Sequence, residues 1–210
     1  MSISVRLIDS PAQIEKNINI AIAAHINGII TRDQNKILNQ VKGLIPSWID
    51  SQPEIVSLRS NDPMSLVGQF GIQGDSNAIV NSIVSSAADA TTIKFIKYSA
   101  NLKGGLELQF QPATFGNLLS LSSGHTIFQG GDLHWLDWLL LRGDNIIVTN
   151  YQYNPATGLG RSGLGNMIDG GAFRVPPQFA GTKDDNFITR AFTNPIVESQ
   201  LSDLLSKVFS

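Results

Sequence analysis

Few side chains in this sequence could act as ligands or bases. There are three histidines, His25, His125 and His134, and no cysteine in 210 residues. The missing thiols exclude disulfides, thiolate catalysis, iron–sulfur clusters and cysteine-bound zinc. His134 and Asp137 stand three apart, on one face of a helix, so a buried His134 hydrogen-bonded to Asp137 is expected. With His125, the pair His134 and Asp137 suggests a metal site, but no two of the three have a recognised ligand spacing. Ser162 lies in Gly160-Arg161-Ser162-Gly163-Leu164, with leucine where the G-x-S-x-G nucleophile elbow has its last glycine. The run Gly158-Leu159-Gly160-Arg161-Ser162-Gly163 fits the dinucleotide fingerprint by pattern. Its context opposes that reading: Asn154-Pro155 separates it from the preceding strand, and Gly170-Gly171 would stop a following helix after about two turns. A flexible turn is the better reading. No catalytic residue, metal ligand or cofactor is therefore expected, and the chain reads as non-enzymatic.

Arg142, Arg161, Arg174, Lys183 and Arg190 make the second half basic in patches. Such patches face phosphate in some proteins, and Asp169, Asp184 and Asp185 are equally close in sequence. A net charge of -2 argues against sequence-specific DNA reading. Non-specific contact with passing DNA, through Arg161, Arg174 and Lys183, stays open. The stretch from Asn154 to Pro177 carries glycines at 158, 160, 163, 165, 170 and 171 and little apolar surface. Glycine loses the most backbone entropy on ordering, so a mobile loop is expected. It ends in Arg174-Val175-Pro176-Pro177, stiff and extended because each proline fixes its own φ and biases the residue before it. Such an arm suits strand addition to a neighbour, which makes Arg161, Ser162, Arg174, Val175, Pro176 and Pro177 the candidate partner interface.

The elements that would hold these residues follow from periodicity. Ser10-Pro11-Ala12-Gln13 opens a helix with a capping box and proline at the first position. Isoleucines recur at helical spacing from Ile14 to Ile45, and Pro46 is expected to end a helix on the order of 50 Å long. Asn27-Gly28 is its weak point. A strut between subunits and a helix across the domain's own sheet are equally good readings of it. Short pieces follow to Gly74, then a helix from Asp75-Ser76 burying Ile79, Val80, Ile83, Val84 and Ala87. From Thr91 the period changes to that of an antiparallel hairpin with one wet face. Residues 113–131 read as a mobile or partner-ordered loop. Asp132 is expected to cap an all-apolar, buried helix that contains Trp138 and ends at Gly143. A third strand, IIVTNYQY, should pair with the hairpin. A C-terminal helix from about Asp185 to Phe209 is divided at Pro195, with Asn194 as cap. The fold class is α+β: a long N-terminal helix and further helices packed on a small, mainly antiparallel sheet, with a long glycine-rich loop and a C-terminal helix. The chain reads as a single domain over 1–210, and any subdivision is expected near residue 74, giving lobes 1–74 and 75–210.

Length supports a core without staples. Charged residues are 15%, against roughly 25% in ordinary soluble domains. Copies with so little charge repel one another weakly, which favours a homo-oligomer. The N-terminus MSISVRLIDSP lacks the features of a signal peptide, and no apolar run reaches the roughly 18 residues of a membrane span. A soluble protein made in a cytosol is expected.

The segments WLDWLLLRGD, GRSGLGNM and FRVPPQFAGTKDDNFITRAF, with Gly181-Thr182, Phe187 and Ala191 near the end, resemble the neck or tail-completion proteins of tailed bacteriophages. The long N-terminal helix suits that family too. The resemblance covers roughly half to two-thirds of the chain. It implies a structural virion protein, made in the host cytoplasm, that forms a ring at the head–tail junction as connector, tail-completion or tail-terminator subunit. Implied partners are further copies of the chain, the portal or connector, tail tube or sheath proteins, and passing DNA, with no membrane. Two other functions remain open: a metal-dependent hydrolase using His125, His134 and an acid, and a carbohydrate- or host-binding module stacking sugar on Trp135, Trp138 and Tyr153.

Overall fold

In the computed structural model, which describes residues 9–128, 130–158 and 160–209, helix α1 runs Pro11–Asp50. Residues 1–8, on which the signal-peptide reading rests, lie outside the described residues. Ser10 begins α1 as its sequence requires, with Oγ accepting from Gln13 N at 3.3 Å. Neither expected interruption occurs. A Cβ at Gly28 would meet nothing within 4 Å, and the helix passes through it. Pro46 sits inside the helix rather than ending it. Proline removes one ladder bond, but Ile45, Trp48 and Ile49 around it are buried and hold the last turns in place. The helix is therefore about 60 Å long at 1.5 Å per residue.

The chain forms two compact units: Met1–Val41 with Thr92–Gln109 and Leu201–Ser210, and Lys42–Thr91 with Phe110–Gln200. Gly74 and Asp75, the sequence's candidate boundary, both fall within the second unit. In the first unit, strands β1 (Thr92–Ile96) and β2 (Gly105–Gln109) pair antiparallel. Their register sets Ile93 against Leu108 and Phe95 against Leu106, so the apolar side chains share a face as the alternation requires. Asn27 ties α1 to the end of this hairpin through both halves of its amide. Its Nδ2 donates to Tyr98 O at 3.0 Å, and its Oδ1 accepts from Tyr98 N at 2.8 Å.

The second unit holds most of the buried core. Its first helices are α2 (Pro53–Arg59), α3 (Leu66–Gln69) and α4 (Ser76–Ala90). Asp75 caps α4, and Val80, Ile83, Val84 and Ala87 form its buried stripe, while Ile79 is half-buried. The region read as a mobile loop is built instead. It contains α5 (Gly116–Leu119) and strand β3 (Thr126–Phe128), with Phe115 and Leu118 buried as its anchors. Strand β4 (Gly131–Leu133) pairs with β3, and α6 (Trp135–Leu140) follows after one residue. Asp132 thus lies in a strand and does not cap α6. Trp135, Leu136, Leu139 and Leu140 are buried, but Trp138 is only half-buried, so α6 is not core on every side.

Strand β5 (Ile146–Asn154) pairs with β6 (Asn166–Arg174) and not with the first hairpin. Among the described residues the sheet component is therefore three separate two-stranded antiparallel ladders. Strand β6 takes up the second half of the stretch expected to be a mobile loop, nine residues of it. The register slips between the pairs Thr149–Ala172 and Tyr151–Asp169, where Asn150 (φ 64°) faces Gly170 (φ 104°) and Gly171 (φ 73°). The two glycines supply the left-handed backbone of a bulge, so here glycine builds the strand rather than loosening it. Val175 is fully buried directly after β6. Val175 is thus an anchor in the chain's own core, and half-buried Pro176 leads into a 3-10 turn over Pro177–Phe179.

Helices α7 (Phe187–Thr193) and α8 (Pro195–Phe209) divide at Pro195, and Asn194 Oδ1 accepts from Ile196 N at 3.0 Å. The turn before α7 docks on the end of α6. Gly181 N donates to Trp138 O at 3.3 Å, and its carbonyl accepts from Gly143 N at 2.8 Å. A Cβ on Gly181 would overlap the Leu139 backbone carbonyl. Gly181→Ala is therefore expected to cost about 1–3 kcal/mol, because backbone rather than a pliable side chain must yield. Urea denaturation against Lys183→Ala, an exposed neighbour, checks this.

Candidate functional site

The hairpin β3–β4 brings together residues that the sequence spaces irregularly. Its register pairs Thr126 with Leu133 and Ile127 with Asp132, so one pair further on His125 stands opposite His134. Asp132 and His134 are two apart on an extended backbone and share a face. His125 Nδ1 lies 3.0 Å from Asp132 Oδ2, and His134 Nε2 lies 3.3 Å from the same oxygen. The two imidazole rings are 3.8 Å apart between centroids. The expected bond from His134 to Asp137 is absent, since His134 precedes α6 and is half exposed, and Asp137 pairs with Arg142 instead.

Asp132 and His134 form part of the wall of a cavity of about 790 Å³ in the second unit. Phe70, Phe128, Trp138, Tyr151, Tyr153, Met167 and Phe173 are large side chains in the rest of the wall, with Arg142 and Arg161 as its cations. Arg142 lies over the Trp138 ring at 5.4 Å from its centroid, and Arg161 over Phe128 at 5.0 Å. Tyr153 donates its hydroxyl to Pro63 O at 2.6 Å. Burial, followed by the Asp62 charge, raises its pKa, so Tyr153 enters the cavity as a neutral donor.

Of the candidate interface and DNA residues, only Val175 is fully buried. Arg161 is held by its own chain, donating to Ile127 O at 3.0 Å. Ser162 Oγ accepts from Leu164 N at 3.3 Å, a local turn bond with no base in it. Strand β6 follows the glycine-rich run, so no helix N-terminus stands where a pyrophosphate would sit; Leu159 of that run lies outside the described residues. Arg174, Pro177 and Lys183 are exposed, Pro176 is half-buried and Val175 is sealed. Of the three possible sugar-stacking rings, Trp135 is fully buried and stacked on Phe70 at 5.8 Å, while Trp138 and Tyr153 line the cavity. Asp132 is the residue sequence reasoning missed. The signal for it was the Gly130-Gly131 turn, which makes Asp132-Leu133-His134 a returning strand.

No family model, curated protein or solved structure matches this chain.

No helix among the described residues is long and apolar enough to cross a membrane.

Proposed function

We propose that this chain is a structural protein of a tailed-bacteriophage virion, a ring-forming neck subunit of connector, tail-completion or tail-terminator type that joins head to tail without catalysis. The observation that carries this reading is the exposed apolar surface on the first half of α1. Ile18, Ile20 and Ile22 are 52%, 45% and 41% exposed. From Pro11 to Thr31 the only formally charged side chains are Glu15 and Lys16. Ile18 and Ile22 lie one turn apart, and Ile20 lies on the opposite side. A helix apolar on two sides needs covering on both. In a ring each subunit has two neighbours, and head-to-tail contacts that close also stop growth into a filament. The segments from WLDWLLLRGD to FRVPPQFAGTKDDNFITRAF that resemble neck proteins lie in the second unit. Arg174 and Lys183, exposed and without a side-chain polar partner among the described residues, are the cations left for passing DNA. The portal or connector and the tail tube or sheath proteins would be the axial neighbours.

Light scattering and electron images of the purified chain, with mass spectrometry of the phage particles that carry its gene, test this reading. A closed oligomer is expected, with many copies per particle at the head–tail junction. Ile18→Asp with Ile22→Asp should leave a helical monomer. A strictly monomeric wild-type protein that is absent from particles would overturn the proposal.

A further inference from the structure

We propose that His125, Asp132 and His134 form a binding site for one divalent first-row transition-metal ion of the zinc class. The donors would be His125 Nδ1, Asp132 Oδ2 and His134 Nε2, whose ligand atoms all lie within 4.8 Å of one another. Two of the three separations are 3.0 and 3.3 Å. Ligand atoms about 2.0–2.1 Å from a tetrahedral zinc stand about 3.3–3.4 Å apart along each edge. Two of the three separations are thus close to those of a coordination shell, and the third lies within 4.8 Å. Two imidazoles with one carboxylate suit zinc, iron, cobalt or nickel, and not magnesium or calcium, which take oxygen shells.

The backbone supplies the preorganisation. Strand alternation fixes Asp132 and His134 on one face, and the hairpin register brings His125 across to them. All three side chains are partly exposed, and Asp132 and His134 open on the large cavity, so an ion has an entry path. A three-donor set leaves a fourth position for water. Bound there, the ion would staple the β3–β4 hairpin to the start of α6. The inference does not depend on the virion reading, because it concerns the purified chain alone.

Chelator-stripped full-length protein titrated with Zn(II) by calorimetry, and with Co(II) by absorption, tests it. One ion per chain is expected, with a Co(II) band of four- or five-coordinate intensity. His125→Ala with His134→Ala should abolish binding at equal helicity. Asp132→Asn should weaken it at least tenfold, and His25→Ala, which removes the only other histidine, should leave it unchanged. Should the double variant fail to fold, the Co(II) spectrum of the wild type and the Asp132→Asn titration still decide the matter. Absence of one-to-one binding, a six-coordinate hydrated Co(II) spectrum, or binding lost in His25→Ala would overturn the proposal.

Discussion

Replacing Arg190 by methionine is expected to cost the fold about 3–5 kcal/mol near neutral pH, because it strands a buried carboxylate. Glu54, near the start of α2, is fully buried, and its Oε1 accepts from Arg190 Nη2 of α7. Its other oxygen, Oε2, is buried without a protein partner among the described residues. Arg190 also donates through Nη1 to Asp185 Oδ1 at 2.6 Å, but Asp185 is exposed and loses little by being left alone. Methionine keeps an apolar stem against the same neighbours, so most of the loss is charge.

The pH dependence separates this from lost packing. Burial raises the Glu54 pKa above its ordinary value of 4.5, and Arg190 pulls it part of the way back. Without Arg190 the rise is larger. A folded-state pKa above the unfolded one means that the folded chain binds more protons between the two values. Stability then falls as pH rises through that window, and the whole penalty is present above it. The deficit of Arg190→Met relative to wild type should therefore shrink as pH falls towards 4.5. Glu54→Gln in the same chain should recover most of it at neutral pH. Urea denaturation at pH 7 and pH 5 measures both, and an equal deficit at the two pH values would point to packing instead.

Features set by neighbours in sequence were legible before any coordinates. Ser10, Asp75 and Asn194 cap helices because a short polar side chain satisfies a free N–H two or three residues on, and that needs no tertiary information. The hairpin β1–β2 was readable from alternation alone. What failed depended on distant pairing. The glycines of β6 were read by their entropy, yet a bulge with Asn150 across a ladder needs just such residues. Pro46 reads as a stop, but buried Ile45, Trp48 and Ile49 outweigh one lost hydrogen bond. The candidate site failed for a related reason. His134 was matched to Asp137 by helical spacing, although the chain at His134 is still leaving a strand. The strand rule, two residues back to Asp132 and across to His125, finds the cluster, but only once the β3–β4 register is known.

The same error of helical phase bears on the tryptophans of α6, and its correction makes the second large prediction. Sequence alone made Trp138 core, because every face of the helix is apolar. The structure does bury Trp135 of that helix, stacked on Phe70 at 5.8 Å with 24° between the rings, but leaves Trp138 half-buried. Leu136, beside Trp135, and Leu139 and Leu140, about one turn on, complete the buried stripe of α6. Trp138 lines the cavity, and the Arg142 guanidinium lies over its ring at 5.4 Å from the centroid. Trp135→Ala is expected to destabilise by about 3–5 kcal/mol, the cost of truncating a buried aromatic ring in a core that closes only partly over the gap. Trp138→Ala should cost about 1 kcal/mol, since it gives up a cation–π contact and partial burial only. Denaturation curves of the two variants rank them directly. Fluorescence supplies a second reading: the emission lost in Trp135→Ala should be the blue-shifted, quencher-protected part, and that lost in Trp138→Ala the quenchable part. If Trp138→Ala proves the more damaging, α6 is turned by about 60° from the arrangement described, since three residues of helix sweep about 300°.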